Sequence, residues 1–492
     1  MWDKLEPTPS HLSYLILSGF LITYALFSKF IRNRLHLSEP PLALLVGVIF
    51  GPHCINALSP VRWKLEDDVT FEFSRFILAL QVFVVGLELP RRYLPKHYGS
   101  VLIMLGPVMA FGWVICACFI KVLIPNTTWP IALLIAACLT PTDPILAASI
   151  LSNSQFSARL PSRIKHLLSC ESGCNDGTSF PFLYIGIAIL SNVSTGGSIR
   201  DWFLITILYQ CVLGITVGVV IGYIANRALR YADDRKLIGE TSFVIFYLLL
   251  AILGMGIAST LGLDDFLVNF SSGVVFARDD FFLSRTRESN LNNFLDLMLN
   301  SSFFVYLGTV VPWTMYQDAM LCLAPWRLIV LLLLVLLFRR IPIVLALKRL
   351  IPDIKTYKEA LFCGHFGPMG VGALFLAMEA RSELEKAMKH NPSQATRAIE
   401  LIWPVTTFIV VGSTLVHGFS VGAVSVLIHL RRKPEERANS IGAETDPIGG
   451  MVHEEEDLEE EEAEEDFEER GERSNGNGNN AAQQGRQGRI RL

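Results

Sequence analysis

The chain has 492 residues, 51% of them hydrophobic and 18% charged, with a mean hydropathy of +0.42. That excludes a soluble globule, and one or two anchors could not absorb so much apolar sequence, so the composition predicts an all-α polytopic membrane protein. The net charge of −4 hides a division: residues 431–492 hold 9 Lys+Arg and 18 Asp+Glu, which leaves residues 1–430 at +5 and the remainder at −9.

Apolar runs bounded by charge or by Pro/Gly predict about thirteen spans, at 11–29, 38–53, 70–89, 99–124, 130–151, 167–191, 201–228, 237–260, 264–278, 292–314, 325–348, 357–380 and 397–430. The first run, Leu12 to Phe27, has no small-residue cleavage site behind it and reads as a span, not a signal peptide. Loops after odd-numbered spans are rich in Lys and Arg, for example Arg159/Arg163/Lys165 and Lys348/Arg349/Lys355, which predicts an external N-terminus and a cytosolic C-terminus. The sequons at Asn126 and Asn192 fall in loops that this bias places outside, whereas those at Asn269 and Asn300 lie in or near apolar runs. The nine cysteines lie mostly in apolar runs without CxxC spacing and read as small core residues. Residues 1–430 thus form the transmembrane domain. Residues 431–492, with 14 Asp+Glu between Glu454 and Glu472, read as a disordered acidic cytosolic tail, either simply solvated or regulatory.

Within the fifth span stands Thr140-Pro141-Thr142-Asp143-Pro144, and within the sixth Glu171-Ser172-Gly173-Cys174-Asn175-Asp176-Gly177. Pro141 and Pro144 have no backbone N–H, so the carbonyls of Ala137 and Thr140 lose their helical donors and the helix breaks. Broken backbone at membrane depth is tolerated only where it is buried in protein or lines a cavity. Freed carbonyls, the Thr140 and Thr142 hydroxyls and the Asp143 carboxylate are hard oxygen donors suited to Na⁺ or Li⁺. The second motif can stay helical, with Glu171, Ser172, Asn175 and Asp176 on one face. Gly173 and Gly177 flank that face and admit a close neighbour, for which the broken helix is the natural candidate.

A charge at a span centre costs roughly 2.5–3.5 kcal/mol, so such groups are paired, buried or functional. Asp143, Glu171, Asp176, Arg340 and Arg339 meet this description. Arg340 lies roughly 12 Å inside the cytosolic end of its span. It pairs with Glu171 or else snorkels to the interface. Asp264-Asp265 opens the ninth span as an N-cap and first-turn acid, or draws cations to the outer mouth. His365, in the segment Gly364-His365-Phe366-Gly367-Pro368-Met369-Gly370, reads as a core histidine or a pH-responsive group, and His417 as structural.

Together the two motifs, with the words Thr140 to Ile150, Glu171 to Tyr184 and Gly364 to Leu374, resemble the monovalent cation/proton antiporter superfamily and in particular the fungal plasma-membrane Na⁺/H⁺ antiporters. The resemblance covers residues 11 to about 430. It implies thirteen helices in inverted repeats with crossed discontinuous helices, and a homodimer. It further implies an ion-binding core of helices 4–6 and 11–13 that moves against helices 1–3 and 7–10. Asp176 would then bind the ion or the proton. Asn175, Ser172, Asp143 and Thr142 would be its neighbours, with Thr140 beside them, Na⁺ held at Asp176 and Asp143, and Glu171–Arg340 the structural pair. Positions matching Asp264, Asp265 and His365 would also matter for transport. Many relatives carry an Arg where Met369 stands here.

Burial penalises a charged carboxylate, so Asp176 would hold a proton when no ion is present and release it as the ion arrives. With alternating access, that competition suffices to exchange cytosolic Na⁺ or Li⁺ for external H⁺, without cofactor or enzymatic chemistry and with no nucleic-acid partner. K⁺-preferring exchange is the live alternative. An intramembrane aspartyl protease would need Tyr-Asp and Gly-x-Gly-Asp motifs, in neither of which Asp143 or Asp176 sits, and a channel would need a filter repeat or charged ring that the sequence lacks.

Overall fold

The computed structural model describes residues 8–31, 37–60, 67–144, 146–147, 160–190, 199–279, 281–286, 291–387 and 392–431, and the acidic stretch and the sequon at Asn192 lie outside them. The chain divides into two units, 1–423 and 424–492. Every regular element among the described residues is a helix, and none is a strand. In chain order the helices are α1 (Pro9–Phe30), α2 (Glu39–Phe50), α3 (Asp67–Glu88), α4 (Tyr93–Ile103), α5 (Met109–Leu123), α6 (Trp129–Cys138), α7 (Ser162–Thr178), α8 (Phe180–Leu190), α9 (Gly214–Asp234) and α10 (Glu240–Leu261). They continue with α11 (Asp265–Ala277), α12 (Phe281–Thr286), α13 (Leu291–Val310), α14 (Pro325–Phe338), α15 (Ile341–Leu347), α16 (Tyr357–His365), α17 (Val371–Ala387) and α18 (Pro392–Arg431).

Helix is found in each of the thirteen predicted intervals, but among the described residues six helices are long and apolar enough to cross a bilayer by length and composition alone. Local chemistry explains much of the shortfall. The fifth, sixth and twelfth intervals each hold helix that is interrupted, as α6 and its continuation from Pro144, α7/α8 and α16/α17; the eleventh, α14/α15, is interrupted too, although the run Pro325–Leu350 is one of the six. The interruption at Arg339-Arg340 differs from the uninterrupted eleventh span read from the sequence. Pro342 is its local cause: it starts a new helix at the first turn, where a missing N–H is tolerated. In the fourth interval Pro107 sits inside a π-helical turn, Met104–Val108, that joins α4 to α5 without ending the helix.

Packing places the interrupted helices in the centre. α5, α8 and α17 pack on α6, and α14 packs on α5. On the other flank α3 and α9 lie against α11, which also touches α7. Glycines set these approaches. A Cβ at Gly86 would stand 2.6 Å from the Phe270 carbonyl, and one at Gly273 would overlap the Phe83 carbonyl. Gly173 and Gly177 have a different partner from the one the spacing suggested. Gly173 faces Val85 of α3 and Phe270 of α11, and Gly177 faces Leu267 and Asp264 of α11, so the small side of α7 meets the α3/α11 flank and not the broken α6.

Candidate functional site

Two breaks meet at the middle of the molecule. α6 stops at Cys138 and helix resumes at Pro144, while α16 stops at His365 and α17 begins at Val371. The breaks bond directly to each other, because the Asp143 N–H donates to the Pro368 carbonyl at 2.8 Å. The buried Asp143 carboxylate accepts from the N–H of Leu146 at 2.8 Å and of Val371 at 3.0 Å, so one side chain caps both helix restarts. Helix starts favour a negative group in this position.

α7 lies across the breaks. Asn175 Oδ1 accepts from the Thr142 N–H at 3.2 Å, and Asn175 Nδ2 donates to Thr142 Oγ1 at 2.7 Å. Thr142 Oγ1 and Ser172 Oγ share a hydrogen bond of 2.8 Å. Thr140 Oγ1 lies 2.7 Å from the Ala137 carbonyl and 3.0 Å from Ser179 Oγ, which donates in turn to the Asn175 carbonyl at 2.6 Å. The Ala137 and Thr140 carbonyls, expected as free oxygen donors, are therefore occupied: the first by the Thr140 N–H and hydroxyl, the second by Arg339 at 3.3 Å.

Asp176 is the exception. It is 1% exposed, and neither carboxylate oxygen has a hydrogen-bond partner among the described residues. Its surroundings are built to admit it. A Cβ at Gly372 would overlap Asp176 Oδ1, and one at Gly370 would overlap Asp143 Oδ2, so both acids press on the glycine-lined start of α17. Bare carboxylate oxygens with no protein donor can hold a small cation or a proton. Leaving them ionised and empty would be costly.

Glu171 and Arg340 lie beneath this site as a bidentate pair, Nη1 to Oε1 and Nη2 to Oε2 both at 2.5 Å, with Arg340 Nε donating to the Cys363 carbonyl at 2.9 Å. The adjacent Arg339 turns instead toward backbone carbonyls at the two breaks. Asp264 is the N-cap of α11, accepting from Phe266 and Leu267 N–H groups at 3.0 Å, and its Oδ2 has no partner among the described residues. It also borders the site, because a Cβ on Gly177, next to Asp176, would stand 2.9 Å from both of its oxygens. Asp265 accepts from Ser259 Oγ at 2.9 Å and faces Arg75 Nε at 3.3 Å, away from that cluster. His365 is half-buried, its carbonyl 3.0 Å from His417 Nε2, and His417 is held at its other nitrogen by the Ser413 carbonyl.

Gly372 and Ser179 are not singled out in the sequence, and Gly370 is named there only as the end of the Gly/Pro-interrupted segment. The Gly-Val-Gly spacing at a helix start was a signal for the two glycines. Ser179 offered none, because its role depends on which neighbour its hydroxyl meets.

The family described as sodium/hydrogen exchanger, transmembrane, matches residues 19–427. The chain is 43% identical over 434 residues to Na(+)/H(+) antiporter 2 of Zygosaccharomyces rouxii, covering 86% of this chain and 54% of that protein. It is 42% identical to the Na(+)/H(+) antiporter of Saccharomyces cerevisiae, covering 87% and 45%, so it spans about half the length of these two relatives. With the Na(+)/H(+) antiporter of Schizosaccharomyces pombe it shares 38% identity over 85% of this chain and 91% of that protein. Among solved structures, the sodium proton antiporter MjNhaP1 from Methanocaldococcus jannaschii at pH 8 superposes with a TM-score of 0.61 at 19% identity, over 83% of this chain and 99% of that one, a likeness of fold.

Proposed function

The chain belongs to the sodium/hydrogen exchanger family of transporters, and on that premise we propose that it is a secondary antiporter exchanging cytosolic Na⁺, and Li⁺, for external H⁺ by alternating access. One observation carries the reading: Asp176 is the buried carboxylate at the crossing whose two oxygens have no donor among the described residues. A cation or a proton can satisfy them, and the two exclude each other. Asp143, Thr142, Asn175 and Ser172 hold the breaks in register around it, with Thr140 supporting and Glu171–Arg340 fixing α7 to the start of α15.

In this reading the core comprises α4–α8 and α14–α18. It moves against α1–α3 and α9–α13 within a homodimer in the plasma membrane, N-terminus outside. The activity would give salt tolerance and cation and pH homeostasis. K⁺-preferring exchange is the alternative, and a comparison of Na⁺, Li⁺ and K⁺ fluxes separates the two.

The test is transport by the purified protein in proteoliposomes. Adding Na⁺ or Li⁺ collapses an imposed pH gradient, and Asp176→Asn abolishes the response while still assembling in the membrane. Full activity in Asp176→Asn overturns the assignment.

A further inference from the structure

α6 and α16 are half-helices that end at the centre of the molecule, and each leaves its last carbonyls without the amide donors a continuing helix would supply. A helix C-terminus carries roughly half a negative charge. Two such ends stand at the breaks whose opposite sides, the two helix starts, Asp143 already caps. Arg339 meets both ends at once. Its Nη1 donates to the Leu139 carbonyl at 2.5 Å and reaches those of Thr140 and Pro141 at 3.3 and 3.4 Å, while Nη2 donates to the Gly367 carbonyl at 2.5 Å. It is 6% exposed, and its stem lies against Gly112 of α5, where a Cβ would stand 3.1 Å from its Cγ. Among the described residues Arg340 has a carboxylate partner and Arg339 has none. The bonds of Arg339 are spent on backbone.

We propose that Arg339 is a positioning residue that sets the spacing of the two breaks, and through it the size of the cation cage at Asp176 and the preference among Li⁺, Na⁺ and K⁺. The inference rests on the exchange reading above. Gly367, which Arg339 holds, is followed directly by Pro368, whose carbonyl takes the Asp143 N–H at 2.8 Å. Three and five residues after Gly367, Gly370 and Gly372 press on the two carboxylates. A shift of Gly367 relative to Leu139 is thus passed to the oxygens that would surround the ion. The planar guanidinium can span the two breaks because its donors point to two sides, whereas a lysine ammonium is a compact point charge on a flexible stem. Ions of different radius require different oxygen spacings, so a cage of fixed span discriminates between them and a loosened one does so less.

The test compares wild type, Arg339→Lys and Arg339→Met in proteoliposomes, reading apparent KM and Vmax separately for the three cations. In Arg339→Lys the KM for Li⁺ and Na⁺ rises about tenfold, a change of about 1.4 kcal/mol, and the preference moves toward K⁺, with Vmax largely kept. Equal changes for all three ions, or none, overturn the proposal. If Arg339→Met does not assemble, Arg339→Lys decides alone. Failure of both to assemble overturns the proposal too, since Arg339 would then be a folding element only. Should wild type exchange no cation for protons, the exchange reading falls by itself. Thermal stabilisation of purified wild type and Arg339→Lys by LiCl, NaCl and KCl then still reads whether Arg339 sets the preference.

Discussion

The crossing of the two breaks and the α3/α9/α11 flank solve the burial of polar backbone in opposite ways. On the flank the helices are continuous and meet backbone to backbone, through Gly86 and Gly273 between α3 and α11 and through Gly218 and Gly222 between α9 and α11. Among the described residues, the side chains left with no partner at any polar atom there, Asn269 and Ser272 on α11 and Gln81 on α3, are neutral, while Asp264 at the α11 N-cap keeps two bonds and leaves only Oδ2 bare. At the crossing the backbone is interrupted, and Asn175 of α7, Arg339 between α14 and α15, and Asp143 of the first break reaching across to the second take up its free groups. Among the described residues the group left without a partner there is an acid, Asp176. An unpartnered neutral amide lowers stability by about 1–3 kcal/mol. An unpartnered buried acid also provides a place for a proton or a cation, so the flank reads as a rigid frame and the crossing as the part that does chemistry.

The largest break in this contrast comes from Glu171→Gln. It leaves Arg340 as an uncompensated buried cation at the base of the crossing, a loss of about 3–5 kcal/mol, seen as a large fall in thermal stability in detergent or in failed membrane assembly. A melting temperature close to wild type would show that the pair does not support the site. A matched pair of glycine variants is next, each adding a methyl group, which against fixed backbone, as at Gly273, costs about 1–3 kcal/mol. Gly372→Ala pushes on the Asp176 carboxylate, so exchange is lost while the melting temperature moves little. Gly273→Ala pushes α11 from α3, so the melting temperature falls while the KM of whatever protein folds is kept. The reverse pattern would dissolve the distinction between the two regions. Thr142→Val gives the smallest change. It removes the hydroxyl bonded to Asn175 and Ser172, worth about 1 kcal/mol, and shows as a several-fold higher KM for Na⁺ at unchanged Vmax. An unchanged KM would place Thr142 outside the cage.

Much of the crossing could be read from the residues. Pro141 and Pro144 dictate a break in any helix, and the cost of leaving Arg340 alone in lipid points to an acid on a neighbouring span. Other features depended on contacts far apart in the chain. The spacing of Gly173 and Gly177 says that a neighbour comes close but not which one, and the answer, α3 and α11, is a matter of how the helices pack. Freed carbonyls were legible as oxygen donors, but not that Thr140 itself would turn back onto that of Ala137 or that Arg339, some 200 residues away, would occupy that of Thr140. Pro342 was a visible signal for the break at Arg339-Arg340. It was masked by the strongly apolar run before it, which reads as one uninterrupted span.

The central claim is that one buried acid holds either a proton or a cation. Proton release into weakly buffered solution, measured as Na⁺ is titrated into the purified protein, tests it most directly. The account predicts saturable release of about one proton per cation bound, lost in Asp176→Asn, and Na⁺ binding without proton release would contradict it.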